Sequence, residues 1–200
     1  TTIEHDATLH PLQHLERDGY EVTYAPVDSQ GVLRFDEFVA ARRPDTILVS
    51  VMHANNEMGT LQPLERIGEV CRERGILFHC DACQTVGHIP VDVHSLNCDL
   101  LTFSGHKLYG AKGAGALYIR RGVRLDTLID GGHKQKGRRA GTEDVPAVVA
   151  MGTACALAGE MLQHGGETDI AALRDYLIGG IQSGVSGAHR RAAQTLLWKI

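Results

Sequence analysis

Short apolar runs rich in β-branched residues recur along this chain, and they constrain its fold more than any other feature. The run Thr46 to Val51 has the composition of a strand that is buried on both faces of a sheet. After it, apolar residues at helical spacing predict a helix over 64–74. Further strands are predicted at 76–80, 100–103 and 115–119. Strands that alternate with helices at short spacing predict an α/β fold with a mostly parallel sheet and helices on both faces.

Turn residues and periodicity predict the elements around this central part. A strand is expected at 20–27 and a short helix at 36–42. Gly75 stands where the helix over 64–74 should end, because glycine accepts the left-handed conformation that closes many helices.

The last quarter of the chain has a different texture. Pro146 to Gln163 is an Ala-rich helix with proline in its first turn, and the sequence His164-Gly165-Gly166 interrupts it. A second helix is expected over 168–182, with Thr168 as its cap. We therefore expect a large domain over 1–163, followed over 164–200 by a connecting helix and the start of a smaller domain.

Composition and charge exclude several classes of protein. The net charge is −4, so nothing in the sequence indicates binding to nucleic acid. No apolar run approaches the length of a membrane span, and the opening residues contain no charged-then-apolar leader. The five cysteines are an odd number in apolar or helical contexts, which indicates reduced thiols in a cytoplasmic compartment.

Polar residues follow three of the predicted strands at the point where each strand ends. Because the carboxyl ends of parallel strands meet at one edge of a sheet, where open α/β folds bind their ligands, we expect these side chains to converge. They are His53, Asn55, Asn56 and Glu57 after the first strand, Asp81 and Gln84 after the second, and Ser104, His106 and Lys107 after the third.

Each of these residues also has a simpler interpretation. Asp81 could cap a helix, Asn56 could occupy a turn, and Lys107 could be a solvated surface lysine. Their joint placement favours function, and Lys107 lies between an apolar strand and the Gly-rich run 110–115. An amine that forms a Schiff base, an acid that keeps a pyridine nitrogen protonated and an imidazole that covers a ring are what pyridoxal phosphate (PLP) requires.

The cysteines offer a weaker alternative. Cys80 and Cys83 form a C-x-x-C pair around Asp81, which is open to a redox or zinc interpretation. No second pair completes such a site, so no metal is predicted and small packing residues are favoured. Core packing is also favoured for the other three cysteines, Cys71, Cys98 and Cys155.

Four motifs in one order carry a resemblance to a known family. They are Ala54-Asn55-Asn56-Glu57-Met58-Gly59, His79-Cys80-Asp81-Ala82-Cys83-Gln84, Ser104-Gly105-His106-Lys107 and Arg139-Ala140-Gly141-Thr142-Glu143, with Glu4-His5 ahead of them. These stretches resemble the cysteine desulfurases of the NifS/IscS type, from residue 1 to about residue 180. The resemblance implies a class V aminotransferase and the large domain of a type I PLP-dependent transferase.

The resemblance also implies a role for each matching residue. Lys107 would hold the cofactor as a Schiff base and move the substrate α-proton, with His106 or His5 assisting. The resemblance also implies that Asp81 contacts the pyridine nitrogen and that His5 stacks on the ring. Asn56 and Gln84 would contact the ring oxygen or the substrate side. Ser104 and His106 would bind the phosphate, and Thr142 would reach the phosphate of the neighbouring subunit in a homodimer. The role of Arg139 in the same loop stays open.

Members of this family take sulfur from L-cysteine, leave alanine and an enzyme persulfide, and supply acceptors such as iron–sulfur scaffolds; close relatives use selenocysteine. This chain departs from the family's usual pattern at 80–84 and at 134–136. The resemblance further implies that an opening phosphate loop, the sulfur-accepting cysteine and the small domain are absent. We therefore expect an incomplete cysteine desulfurase that is inactive alone. A selenocysteine lyase, or a non-catalytic fragment that binds PLP or a partner chain, is the alternative.

Overall fold

A four-stranded sheet organises the part of the chain that the computed structural model describes, which is residues 1–188 without the side chain of residue 167. The strands stand in the spatial order β1 (Leu48–Met52), β2 (Leu77–Asp81), β3 (Leu100–Ser104) and β4 (Gly115–Ile119). β1, β2 and β3 run parallel, and β4 pairs antiparallel with β3. The predicted mostly parallel sheet is therefore confirmed.

Five α-helices accompany the sheet within the described residues. They are α1 (Asp6–Arg17), α2 (Phe35–Ala41), α3 (Leu64–Arg74), α4 (Val145–Gln163) and α5 (Gly166–Gly184). Short 3₁₀ helices lie at Gly105–Leu108 and Gln135–Gly137. α3 ends as predicted, because Gly75 takes a φ of 66° and its N–H donates to the carbonyls of the last helical turn.

The apolar core lies between α3 and one face of the sheet. Phe78 and Cys80 of β2 are both 0% exposed and point into it. The side chains that meet them are Ile67 and Cys71 of α3, Val49 and Val51 of β1, and Leu101 of β3. This buried set fixes the register of the strands, since a slip of one residue would move every one of these side chains to the opposite face.

A polar bridge crosses the opposite face of the sheet. His79 Nδ1 lies 2.8 Å from Ser50 Oγ, and His79 Nε2 lies 3.2 Å from Thr102 Oγ1, so one imidazole links β1, β2 and β3. Burial lowers the pKa of His79, and the nearby carboxylates of Asp81 and Glu4 oppose that change. A neutral imidazole suits this position because it can donate to one hydroxyl and accept from the other.

The strand predicted at 20–27 is not formed. Val27 makes one isolated bridge with Leu33, and no strand within the described residues pairs with the outer side of β1. A cavity of about 600 Å³ lies there, lined by residues 20–25 on one side and 45–51 on the other. The prediction was wrong because a strand needs the donors and acceptors of a neighbour, and composition does not reveal whether a neighbour is present.

The cap predicted for the last helix is also wrong. α5 begins at Gly166, two residues before the predicted start. Its N-cap is Gly165 with a φ of 77°, and no side chain caps the helix; Thr168 lies inside its first turn, with its N–H donating to the Gly165 carbonyl. A glycine in the left-handed conformation lets the chain turn from α4 directly into α5. The proposed domain boundary after residue 163 stays a prediction, and the tail from residue 189 lies outside the described residues.

α4 corrects one expectation from composition. Over residues 1–188, Val145–Gln163 is the one helix long and apolar enough to cross a membrane. Its most apolar 18-residue stretch has a mean hydropathy of 1.6, and 11% of that stretch is buried. One such helix, judged by length and composition, is weak evidence for a membrane span. α4 packs against the 3₁₀ helix Gly105–Leu108 and against α5.

Candidate functional site

The register of the sheet brings the carboxyl ends of β1, β2 and β3 to one edge. Met52 pairs with Asp81, and Asp81 pairs with Thr102. The contacts continue past the strand ends, because the N–H of His53 donates to the Asp81 carbonyl at 2.8 Å and the N–H of Ala82 donates to the Thr102 carbonyl at 2.9 Å. The polar residues that follow the three strands therefore begin from one place, as the sequence predicts.

Asp81 and Ser104 meet through Cys83. The Asp81 carboxylate accepts the backbone N–H of Cys83 at 3.0 Å, and the Cys83 thiol lies 3.6 Å from Ser104 Oγ. Burial raises the pKa of the Cys83 thiol to about 11, and the nearby Asp81 carboxylate raises this pKa further. Ser104 and the positive charge of Lys107 act in the opposite direction. A carboxylate and a hydroxyl are thus joined through Cys83, and the amine of Lys107 is near enough for its charge to act on the thiol.

The 3₁₀ helix Gly105–Leu108 fixes the position of Lys107. The Lys107 carbonyl lies 2.8 Å from Nε2 of His88, and the half-buried side chain follows directly from β3. Behind the helix, Gly105 leaves no room for a side chain, since a Cβ would lie 3.0 Å from Cγ of Met151 on α4. His106 in the same turn is exposed. The backbone that carries Lys107 is therefore held on two sides.

Asn55 organises the loop after β1, although the sequence drew attention to Asn56. The Asn55 side chain accepts from the N–H groups of Glu57 and Met58 at 2.9 and 2.8 Å, and its Nδ2 donates to the Ile3 carbonyl at 2.9 Å. Asn56 itself is half-buried in the same loop. An Asn two residues before a turn is the signal that could have identified Asn55.

A buried carboxylate anchors the N-terminal residues beside β1. Glu4 Oε2 accepts the N–H of Met52 at 2.8 Å. His5 follows, is exposed, and accepts the N–H of Ala7 at 3.1 Å as the N-cap of α1. The predicted His5 thus lies near the end of β1, where it caps a helix.

The last two predicted site residues lie in different environments. Gln84 is buried in the turn that follows β2, next to Cys83. Thr142 is exposed in the loop that precedes α4, as is Arg139 in the same loop. The structure therefore groups Asp81, Ser104 and Lys107, and it leaves Thr142 apart from them.

His53 is an orphaned imidazole at the end of β1. It is 8% exposed, and its Nδ1 has no hydrogen-bond partner within the described residues. Burial lowers the pKa of His53 to about 4. The ring is therefore neutral at physiological pH and brings no positive charge to this edge.

All five cysteines are free and their thiols are protonated at neutral pH. Burial raises the pKa of each one, to about 11 for Cys71 and Cys98 and well above the ordinary value for Cys80. Cys71 and Cys98 pack in the core as predicted, whereas Cys155 is only half-buried. Over residues 1–188, no three His, Cys, Asp or Glu side chains form a group that could hold a metal ion.

Comparisons with known proteins agree with this geometry. The family model described as aminotransferase class-V matches residues 1–192, so the chain belongs to that family. A cysteine desulfurase IscS from Methanosarcina thermophila is 51% identical over 181 residues, which are 90% of this chain and 45% of that protein. Another from Clostridium botulinum is 49% identical over 183 residues, 92% of this chain and 46% of that protein. The chain spans about half the length of the curated relatives it matches.

Solved structures assign the fold. A NifS-like protein superimposes with a TM-score of 0.93 at 39% identity, covering 99% of this chain and 54% of that one. DndA from Streptomyces lividans gives 0.89 at 30% identity, covering 99% and 56%. A structure described as SspA in complex with cysteine gives 0.76 at 42% identity, covering 78% and 46%. The described residues form part of a type I PLP-dependent transferase domain, and the predicted fold class is confirmed.

Proposed function

We propose that this chain is the cofactor-binding part of a PLP-dependent cysteine desulfurase. The observation that carries the proposal is the grouping of Asp81, Ser104 and Lys107 where two parallel strands end. The family match supports it, and so do relatives that bear the name cysteine desulfurase. That name also favours L-cysteine over selenocysteine as the substrate.

The donor set fits PLP. A primary amine, a carboxylate and a hydroxyl are suited to the aldehyde, ring nitrogen and phosphate of this cofactor, and Lys107, Asp81 and Ser104 provide them within one cluster. The neutral His53 nearby adds no competing positive charge. When bound, PLP would withdraw electrons from the α-carbon of the substrate.

Each residue of the cluster has a definite task in this proposal. The Nζ amine of Lys107 would hold the cofactor through its aldehyde and then take the proton from the substrate α-carbon. The Asp81 carboxylate would keep a proton on the ring nitrogen. The Ser104 hydroxyl and exposed His106 would bind the phosphate. His5 would cover the ring, and Asn56 and Gln84 would line the substrate side.

The proposal extends to partners and location. A homodimer is supported by the outer surface of α4, where the apolar residues Val145, Val148, Val149 and Leu157 are exposed beside the Thr142 loop. Thr142 would then reach the phosphate of the partner's cofactor. The persulfide sulfur would pass to an acceptor such as an iron–sulfur scaffold. The five free thiols favour a reducing compartment such as the cytoplasm.

Cofactor binding by the purified chain tests the proposal. Addition of PLP should produce the visible absorbance band of lysine-bound cofactor, and borohydride reduction should fix the adduct on Lys107, as read by peptide mass spectrometry. Lys107→Ala should remove the band. Lys112→Ala is the matched control, because Lys112 is an exposed lysine five positions away in the Gly-rich run. A band that persists in Lys107→Ala, or is lost equally in both variants, would contradict the proposal.

Alanine formation tests the activity itself. The protein that contains this chain should release alanine from L-cysteine, and the release should require Lys107. An enzyme that binds PLP at Lys107 but acts on another amino acid would preserve the cofactor site and refute the desulfurase assignment.

A further inference from the structure

We propose that Cys83 is a positioning residue of the cofactor site: its backbone N–H holds the Asp81 carboxylate and its thiol contacts the Ser104 hydroxyl. The inference rests on the proposed function, since Asp81 and Ser104 are the residues assigned to the ring nitrogen and the phosphate. Cys83 would keep these two groups at a fixed separation and in fixed orientations before the cofactor arrives.

The register of the sheet explains why this sulfur can act as a bridge. The last pair of the β2–β3 ladder is Asp81 with Thr102. Cys83 follows Asp81 by two residues and Ser104 follows Thr102 by two, so the contact of 3.6 Å between Sγ and Oγ continues the pairing beyond the ladder. The bridge therefore stands where backbone hydrogen bonds no longer hold the two chain segments together.

The Cys83 thiol contacts Ser104 in its protonated form. The thiol has its proton at neutral pH, because burial raises the pKa of Cys83 to about 11. The sulfur lies 3.6 Å from Ser104 Oγ, and either atom can donate to the other. The Asp81 carboxylate accepts the Cys83 N–H at 3.0 Å. Cys83 thus holds both groups, the carboxylate through its backbone and the hydroxyl through its side chain.

The other cysteines do not share this arrangement. Cys80 points into the apolar core and is 0% exposed, although it lies on the same strand segment. The half-buried Cys155 has a pKa raised by burial alone, with no contribution from any charged or hydrogen-bonding neighbour. Cys155 is therefore the matched control for Cys83.

Thiol labelling in the absence of cofactor tests the contacts of Cys83 with Asp81 and Ser104. Alkylation of Cys83 is followed by peptide mass spectrometry across the range pH 7 to 10 in the wild-type chain and in two variants. Asp81→Asn should accelerate the reaction about fivefold or more, because the thiol loses a negative neighbour that favours its protonated form. Ser104→Ala should slow it, because the sulfur loses a donor that favours the thiolate. Unchanged rates in both variants, with folding confirmed by circular dichroism, would overturn the proposal.

Cofactor binding tests what the bridge does for the site. Cys83→Ala should weaken PLP binding about tenfold in an absorbance titration, since Ser104 loses the sulfur that positions its hydroxyl. The pH at which the absorbance band changes should also move in this variant. Cys83→Ser keeps a donor and an acceptor and should bind within about threefold of the wild type. Cys155→Ala should leave both quantities unchanged.

The outcomes separate this proposal from the proposed function. If the wild-type chain does not take up PLP at Lys107, the proposed function fails, and the labelling rates still decide whether Cys83 joins Asp81 and Ser104. If PLP binds and Cys83→Ala reproduces the wild-type dissociation constant and pH profile, the positioning role is refuted while the proposed function stands. If Cys83→Ala does not fold, the comparison of Cys83→Ser with the wild type and the labelling experiment carry the test.

Discussion

Two regions of one sheet differ in how completely their hydrogen-bonding groups are used. At the tips of β2 and β3, Cys83 contacts both the Asp81 carboxylate and the Ser104 hydroxyl, and a strand lies on both sides of β2. We call this region the closed corner. Along the outer side of β1, which we call the open side, a cavity of about 600 Å³ lies between the strand and residues 20–25. The candidate site therefore lies where strands pair on both sides. We expect the open side to unfold more readily and to be more prone to aggregation.

Loss of a core side chain beneath the closed corner should have the largest effect. Phe78 is fully buried on β2, and Phe78→Ala should reduce the free energy of unfolding by about 3–5 kcal/mol. Leu48→Ala on the open side should cost less than about 1 kcal/mol, since Leu48 is 43% exposed. Urea denaturation followed by circular dichroism measures both values. Equal costs would show that the two regions do not differ in packing.

Acid should destabilise the folded chain through His53, which follows β1 beside the closed corner. Its pKa is lowered to about 4 in the folded chain from an ordinary value of 6.5, so the unfolded chain binds a proton before the folded chain does. Stability is therefore complete above pH 6.5 and is lost as the pH falls towards 4. Between pH 7 and pH 5 we expect a loss of about 2 kcal/mol that is specific to His53.

The matched measurement compares two histidine variants. His53→Gln should have a shallower dependence of unfolding free energy on pH than the wild type. His10→Gln, at an exposed position on α1, should keep the wild-type dependence. Parallel curves for the wild type and His53→Gln would contradict the assignment of this pH effect to His53.

The closed corner was largely predictable from the sequence, and the open side was not. Short apolar runs located β1, β2 and β3 to within a few residues, because strands buried on both faces are apolar along their length. Convergence of Asp81, Ser104 and Lys107 followed from the rule that parallel strands end at one edge. The segment 20–27 has similar composition, yet it forms no strand, since pairing depends on a neighbour that local sequence does not specify.

The residues that connect the site were harder to predict than those that form it. Cys83 was interpreted as a small packing residue, because its contact with Ser104 depends on strand register and not on spacing along the chain. Asn55 was passed over for Asn56, since only the folded loop shows which amide accepts the backbone N–H groups. Glu4 could not be foreseen as the acceptor for Met52, which lies 48 positions away.

A partly buried ion pair at the other end of the same strands should contribute less than His53. Arg120 donates to the Cys98 carbonyl at 2.7 Å and pairs with Asp99 at 3.1 Å, while Asp99 accepts the N–H of Phe78 at 2.9 Å. Arg120→Met should cost about 1–2 kcal/mol of unfolding free energy, because it leaves buried acceptors without a donor. Arg34→Met, in an exposed pair with Glu37, should give no measurable change. Equal effects would show that burial does not strengthen the Arg120 contacts.

The smallest change in stability, with a clear effect on association, is expected on the open side. An unpaired parallel edge with exposed apolar residues at Ile47 and Leu48 can recruit another strand, and a lysine on such an edge opposes this. Leu48→Lys should therefore reduce concentration-dependent light scattering while changing the free energy of unfolding by less than about 0.5 kcal/mol. Leu117→Lys is the matched control, because Leu117 has similar exposure on β4 at the opposite side of the sheet. If both variants reduce scattering equally, aggregation depends on the net charge of the surface. If only Leu48→Lys reduces it, the chains aggregate through the open side.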